Sequence, residues 1–193
     1  MQGFSPLLAG KRVFVTGASR GLGRAIAVEC ARQGADVAFV FQHDEAGAAR
    51  TTSEVESHGQ RALAHRASVL DASELQHAVK AAEQAFGGGL DILVNNAGMS
   101  QPLPLALMED SDFDEVMDVN MKGTFIATRV VLRGMVRRRR GAVLNIGSLA
   151  GARLIEAPVH YCASKAAVHG FTRALSKEMA RCGIRVNALA PGL

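Results

Sequence analysis

The 193-residue chain contains one tyrosine, three cysteines and five prolines, and no apolar run near the length of a bilayer span. A membrane helix needs about 20 consecutive apolar residues, so no membrane partner is expected. The opening segment MQGFSPLLAGKR lacks the apolar core of a secretory leader, which points to a cytoplasmic protein. Cys30, Cys162 and Cys182 are odd in number and far apart, with neither a disulfide framework nor metal-ligand spacing. They read as reduced thiols, and no metal site is expected. No repeat and no Pro/Gly/Ser linker divides the chain. With 48% hydrophobic and 21% charged residues, it reads as one globular domain with a real core, not a disordered tail. The formal charge of +4 suits a phosphorylated cofactor or an acidic partner and does not imply nucleic acid. Its one concentration, Arg137 to Arg140, reads either as a helix C-terminus or as a docking patch for an acidic partner.

Short apolar, β-branched runs alternate with longer helical patterns. Strands are expected over 12–16, 36–41, 61–67, 90–95, 142–147 and 184–190, and helices over 22–33, 45–57, 72–86, 111–138 and 160–181. That alternation, with strands that are nearly continuous hydrophobic runs, predicts an α/β fold: a doubly wound parallel sheet of Rossmann type with helices on both faces. The first strand runs into VTGASRGLGRAIA, with Gly17, Gly21 and Gly23 between a strand and a helix. Glycine permits the sharp turn and removes the Cβ that would keep a pyrophosphate from the backbone and the helix N-terminus.

The spacing Thr-Gly-x-x-x-Gly-x-Gly from Thr16 resembles the cofactor loop of the short-chain dehydrogenases/reductases. Further motifs follow in order. They are Asn95-Asn96-Ala97-Gly98 after the fourth strand, Asn120 in the long helix and Ser148 past the fifth strand. Tyr161-x-x-x-Lys165 comes next, and then Asn187, Pro191 and Gly192 after the sixth strand. The strings TGASRGLGRAIA, NIGSLAG and YCASKAA are most similar to the 3-oxoacyl-acyl-carrier-protein reductases within that family. The resemblance implies a catalytic set of Asn120, Ser148, Tyr161 and Lys165. It also implies cofactor contacts from Gly17, Ser19, Arg20, Gly21, Leu22 and Gly23, from Gln42, Ser68 and Val69, from Asn96, Ala97 and Gly98, and from Tyr161, Lys165, Pro191 and Gly192.

Residues i and i+4 share a helix face, so Tyr161 and Lys165 stand one turn apart on the same side. A free phenol has a pKa of about 10. A nearby ammonium favours the phenolate, which makes the pair a tuned acid/base able to protonate a carbonyl oxygen. The resemblance gives Ser148 a hydrogen bond to that oxygen, Lys165 a contact to the nicotinamide ribose, and Asn120 a water in a proton relay.

NAD-users of this fold carry an acid at the end of the second strand. Here that strand ends Phe41-Gln42, while Asp44 and Glu45 read as the start of the next helix. With Arg20 in the glycine loop, NADP(H) is expected over NAD(H), although Gln42 stands where many NADP-binding relatives have Arg. Ser68 stands where relatives have an Asp near the adenine, and Asp71 reads as a helix cap. Relatives continue past Pro-Gly with a nicotinamide-binding threonine, a substrate lid and a seventh strand, so residues 1–193 read as one Rossmann domain incomplete at its C-terminus.

Three functions stay open. The first is a reductase of acyl thioesters on carrier protein or coenzyme A, with Arg139 at the family's docking position and Cys182, beside Arg181, at the other. The second is a dehydrogenase/reductase of a small alcohol, sugar or steroid-like ketone, its pocket lined by the loop MSQPLPLALMED. The third is a cofactor-binding regulator without turnover. The small residues Ala163, Ser164, Ala166 and Ala167 fit close helix packing, and the resemblance implies a homodimer or homotetramer through the helices 111–138 and 160–181.

Overall fold

The structure is a computed structural model that describes residues 6–153 and 155–192. The start of the segment read for a leader, Leu154 and the final Leu193 lie outside the described residues. The strands are β1 (Arg12–Thr16), β2 (Asp36–Phe41), β3 (Ala62–Arg66), β4 (Ile92–Asn95), β5 (Gly141–Ile146) and β6 (Ile184–Leu189). The helices are α1 (Gly21–Arg32), α2 (Glu45–Glu56), α3 (Ala72–Ala85), α4 (Asp110–Met117), α5 (Gly123–Arg138) and α6 (Val159–Ala180). All strand pairs are parallel, in the order β3-β2-β1-β4-β5-β6. The order reverses between β1 and β4, and the crevice beyond the carboxyl ends of two such strands is where a doubly wound sheet binds its ligand.

The sheet is buried on both faces because its strands are apolar on both. Val13, Val15, Val37 and Phe39 pack under Ala27 and Ala31 of α1 and Ala48 and Val55 of α2. Phe14, Val40, Leu93 and Val143 face Leu75 and Ala82 of α3, Val131 and Met135 of α5, and Leu175 and Met179 of α6. Buried amides tie the helices to the sheet. Asn95 Nδ2 donates to Thr128 Oγ1 on α5 and to Asn145 Oδ1 on β5, each at 2.8 Å, and Asn145 Nδ2 donates to Thr172 Oγ1 on α6 at 2.8 Å. Asn95 and Asn145 face each other in the β4–β5 register, so one short chain of hydrogen bonds locks α5, β4, β5 and α6 together.

The segment 111–138, expected as one helix, is interrupted. Asp118–Lys122 forms a π-type turn between α4 and α5. On this wider turn the fully buried Asn120 side chain lies against the loop after β4.

The arginine run serves the end of α5. Arg139 caps the helix in the left-handed conformation, at φ +52°. Arg138 donates to the Leu90 carbonyl at 2.6 Å and faces Glu83 at 3.7 Å, and Arg140 pairs with the buried Asp91 at 2.9 Å. Arg139 donates to the Arg181 carbonyl.

Substituting Asn145→Ala removes two buried hydrogen bonds and leaves Asn95 and Thr172 each with one bond fewer. The expected cost is about 3 kcal/mol, read as a lower urea midpoint with unchanged slope.

Candidate active site

Two clefts open along the carboxyl edge of the sheet. One is a groove of about 670 Å³ that includes Gly17, Ser19, Arg20, Gly21, Leu22, Gly23, Gln42, Val69, Asn96, Ala97 and Gly98 in its lining. The other, about 800 Å³, contains Ser148, Tyr161, Lys165, Pro191 and Gly192, with Met99, Leu149, Ile155 and Pro158 as apolar walls. Leu22, Asn96, Gly98 and Met99 belong to both, so the two form one continuous site. Sequence reasoning had missed His43, Asp44, Glu115 and Val119 on the groove and Glu156 on the cleft. The segment after β2 offered a signal for the first two, because a loop leaving the carboxyl end of a central strand faces the crevice.

The groove fits a dinucleotide on its own geometry. Helix α1 begins without a capping side chain and with no acid in its first turn. Helices α2 and α3 are capped by Asp44 and Asp71 and carry Glu45 and Glu74 in their first turns. The first amides of α1 therefore stay available to an anion, while the other two helix starts are satisfied internally. A Cβ on Gly23 would lie 2.3 Å from the Gly17 carbonyl oxygen, and Gly17 has a φ of +69° with a built Cβ 2.8 Å from Ala97. These close approaches hold the loop against β4. Thr16 Oγ1 accepts from the amides of Asn96 and Ala97, each at 3.0 Å, and Asn96 Nδ2 donates to the carbonyls of Thr16 and Gly17 at 3.0 and 2.9 Å.

Ser68 is not among the residues lining the groove. Its amide donates to the Glu74 carboxylate at 2.7 Å and its hydroxyl accepts from Leu70 at 3.2 Å, so it belongs to the start of α3. Val69, next to it, does line the groove.

Ser148 follows β5 in extended backbone, its hydroxyl accepting from the Ala150 amide at 3.1 Å. Tyr161 and Lys165 lie on the first turns of α6. Lys165 is only 5% exposed, its Nζ donating to the Ile146 carbonyl at 3.0 Å and lying 5.7 Å from the Tyr161 ring centroid. Burial pulls the amine down from 10.5 to about 8. Asn120 lines neither cleft. Its amide joins the Met99 backbone, accepting at 2.8 Å and donating at 2.9 Å, and it donates to Ser164 Oγ at 2.9 Å. Ser164 in turn donates to the Tyr161 carbonyl at 2.8 Å. Asn120 thus connects the loop after β4 to the turn that carries Tyr161. Among the described residues there is no cluster of His, Cys, Asp or Glu fit for a metal, and no helix is long and apolar enough to cross a membrane.

The lowered amine gives a pH signature. From pH 8 to 10.5 the unfolded chain keeps a proton that the folded lysine has shed, so stability rises with pH through that window. Below pH 8 both states are protonated and the cost of burying the charge applies in full. Against a Lys165→Met variant, the wild type is expected to gain on the order of 3 kcal/mol as pH rises across this window, measured by denaturant titration at each pH.

The family profile described as short chain dehydrogenase matches residues 11–193. A 3-oxoacyl-[acyl-carrier-protein] reductase FabG of Staphylococcus aureus (strain Mu50) is 39% identical over 182 residues, covering 94% of this chain and 74% of its own. A 3-oxoacyl-[acyl-carrier-protein] reductase of Synechocystis is 36% identical over 185 residues, covering 96% and 74%. Among solved structures, a putative short-chain alcohol dehydrogenase from Sinorhizobium meliloti 1021 superposes with a TM-score of 0.90 at 41% identity, over 96% of this chain and 73% of that one. An NAD+-bound xylitol dehydrogenase gives a TM-score of 0.91 at 28% identity, over 96% and 71%. With the sheet order, the glycine groove and the Ser148–Tyr161–Lys165 cleft all in place, this chain belongs to the short-chain dehydrogenase family.

Proposed function

We propose that the protein is an NADPH-dependent carbonyl reductase that converts a 3-oxoacyl thioester, on acyl carrier protein or coenzyme A, to the 3-hydroxyacyl form. The observation that carries this reading is the meeting of Ser148, Tyr161 and Lys165 on one largely apolar cleft that opens into the glycine groove. The nicotinamide, when bound, supplies the hydride. The chain's own residues manage the proton and the developing charge. Tyr161 gives its phenolic proton to the substrate oxygen, and Ser148 donates a hydrogen bond to that oxygen. Lys165 sets a positive charge beside the Tyr161 ring and offers its amine to the cofactor ribose. Asn120, on the π-type turn, holds the loop and helix that frame this arrangement, and the proton relay is assigned to it on the family resemblance. The acyl-thioester substrate is favoured by the relatives named as 3-oxoacyl reductases and by the apolar walls Met99, Leu149, Ile155 and Pro158.

The preference for NADPH rests on where the charges of the groove are spent. Asp44, the acid nearest the end of β2, accepts from the Gly47 amide at 2.8 Å to cap α2. Arg20 lines the same groove and is exposed, ready for a 2′-phosphate. Gln42 also lines the groove on this side and faces the adenosine half of the cofactor in this reading.

The reading includes self-association in the cytoplasm as a dimer or tetramer through α5 and α6. Their shared groove presents Phe125, Leu132, Val136, Phe171 and Leu175. A second reading, turnover of a small alcohol, sugar or steroid-like ketone, is favoured by Glu156. It puts a carboxylate on the cleft lining, an acceptor suited to hydroxyl groups. The complete Tyr161–Lys165 pair argues against a regulator without turnover.

Two measurements test this. In single-turnover reduction of acetoacetyl-CoA, Tyr161→Phe is expected to lose at least about 10²-fold in rate with NADPH affinity almost unchanged. A variant that keeps most of the wild-type rate removes Tyr161 as the acid. In fluorescence titrations NADPH is expected to bind more tightly than NADH, and Arg20→Glu to erode that difference by setting a negative charge against the phosphate. Tighter NADH binding by the wild type would overturn the cofactor assignment.

A further inference from the structure

Ser148 depends on more than its own loop. Its carbonyl oxygen accepts the Gly151 amide at 3.1 Å and has His169 Nε2, one turn beyond Lys165 on α6, at 3.2 Å. The flanking amides are held by the end of β6 and the segment after it, Gly147 donating to Leu189 at 2.7 Å and Leu149 to Pro191 at 3.1 Å. Among the described residues, His169 is thus the one side chain on the Ser148 carbonyl. A carbonyl oxygen can only accept, so Nε2 must carry the ring proton.

Gly147 shows that space has been left for this ring. A Cβ built there would lie 2.7 Å from His169 Cε1 and 2.8 Å from Nε2. Any larger residue at 147 must push the imidazole off the carbonyl, because the other close atom, the Leu189 carbonyl oxygen at 3.3 Å, belongs to backbone paired with the sheet. The empty position before Ser148 and the ring nitrogen on its carbonyl belong to one contact.

We propose that His169 is a positioning residue for Ser148: through its Nε2–H it fixes the Ser148 carbonyl and thereby the direction in which the hydroxyl enters the cleft. The carbonyl and the hydroxyl-bearing Cβ hang from the same Cα, so anchoring the carbonyl limits how far the extended Ser148 backbone can swing and carry its side chain with it. Holding that plane from α6 gives Ser148 the same frame as Tyr161 and Lys165, which ride on the same helix. A donor displaced by as little as 1 Å loses much of its effect on a developing oxyanion. His169 touches neither cleft and has no part in the chemistry itself.

This inference rests on the carbonyl-reductase reading, and its test separates the two. In the full-length protein, with NADPH and acetoacetyl-CoA, His169→Leu is expected to lower kcat about five- to tenfold, the worth of one hydrogen bond, and to leave KM for NADPH unchanged. His169→Gln, whose side-chain amide can reach where Nε2 does, should recover most of the rate. Gly147→Ala should reproduce the loss. In a Ser148→Ala background, followed in single turnovers, His169→Leu should change the rate by less than about twofold, because the group it positions is gone. A Leu variant as fast as wild type, or a loss that persists without the Ser148 hydroxyl, overturns the proposal. If the wild type itself reduces no acetoacetyl-CoA, the functional reading fails. The His169 assignment is then decided by imidazole ¹⁵N spectra of the wild type, where a proton on Nε2 and a bare Nδ1 supports it and the opposite tautomer overturns it.

Discussion

The burial of one ammonium group governs the site. Lys165 sits almost fully inside the protein, with the Ile146 carbonyl as its one hydrogen-bond partner among the described residues and its amine pulled down to about 8. Such a charge is costly to keep out of water, and it is tolerated only where the surroundings are too well fixed to let it escape. Those surroundings are made by α6 and the loop after β5. They are held by the Asn145–Thr172 bond beneath the helix and the Asn120–Ser164 bond beside it. The same fixation sets the Tyr161 ring against the amine and brings Ser148 to the other wall of the cleft.

The rest of the fold can be read outward from this point. The topological reversal between β1 and β4 creates the crevice, and Thr16 and Asn96 close its base by linking the ends of those two strands. Glycines let the first loop lie flat against β4, and an uncapped α1 leaves its amides facing the groove. Two of the acids near the groove are committed to helix starts, while Glu115 lies on its lining. Asp44 caps α2, and Glu74 holds Ser68 at the start of α3. The charge pattern of the groove therefore follows from helix capping as much as from the choice of residues that line it.

Much of this was legible in the sequence because the signals were local. Strands buried on both faces appear as unbroken apolar runs, and β1, β2 and β6 lie within a residue of their expected limits. Tyr161 and Lys165, one turn apart, had to share a face, and the cleft contains both. The end of the long helix was visible in its run of arginines, one of which, Arg139, caps it. What was hidden depended on contacts between distant segments. The π-type turn at Asp118–Lys122 leaves no mark on residue type, since its buried Asn120 would look the same in a regular helix. The tie of Ser68 to the start of α3 was hidden because its partner, Glu74, lies on the following helix. His160, fully buried with neither ring nitrogen bonded among the described residues, gave no hint in a segment that reads as an ordinary helix start.

The central claim is that the fold holds a buried lysine next to Tyr161, and a direct titration of that amine tests it. With ¹³C label on the lysine ε-carbons, the Lys165 resonance can be assigned by comparison with Lys165→Met and followed against pH in the cofactor-free protein. The account predicts a midpoint near 8, well below the 10.5 of an exposed lysine. A midpoint at the ordinary lysine value would mean that water reaches the amine freely, and would contradict a site organised around a buried charge.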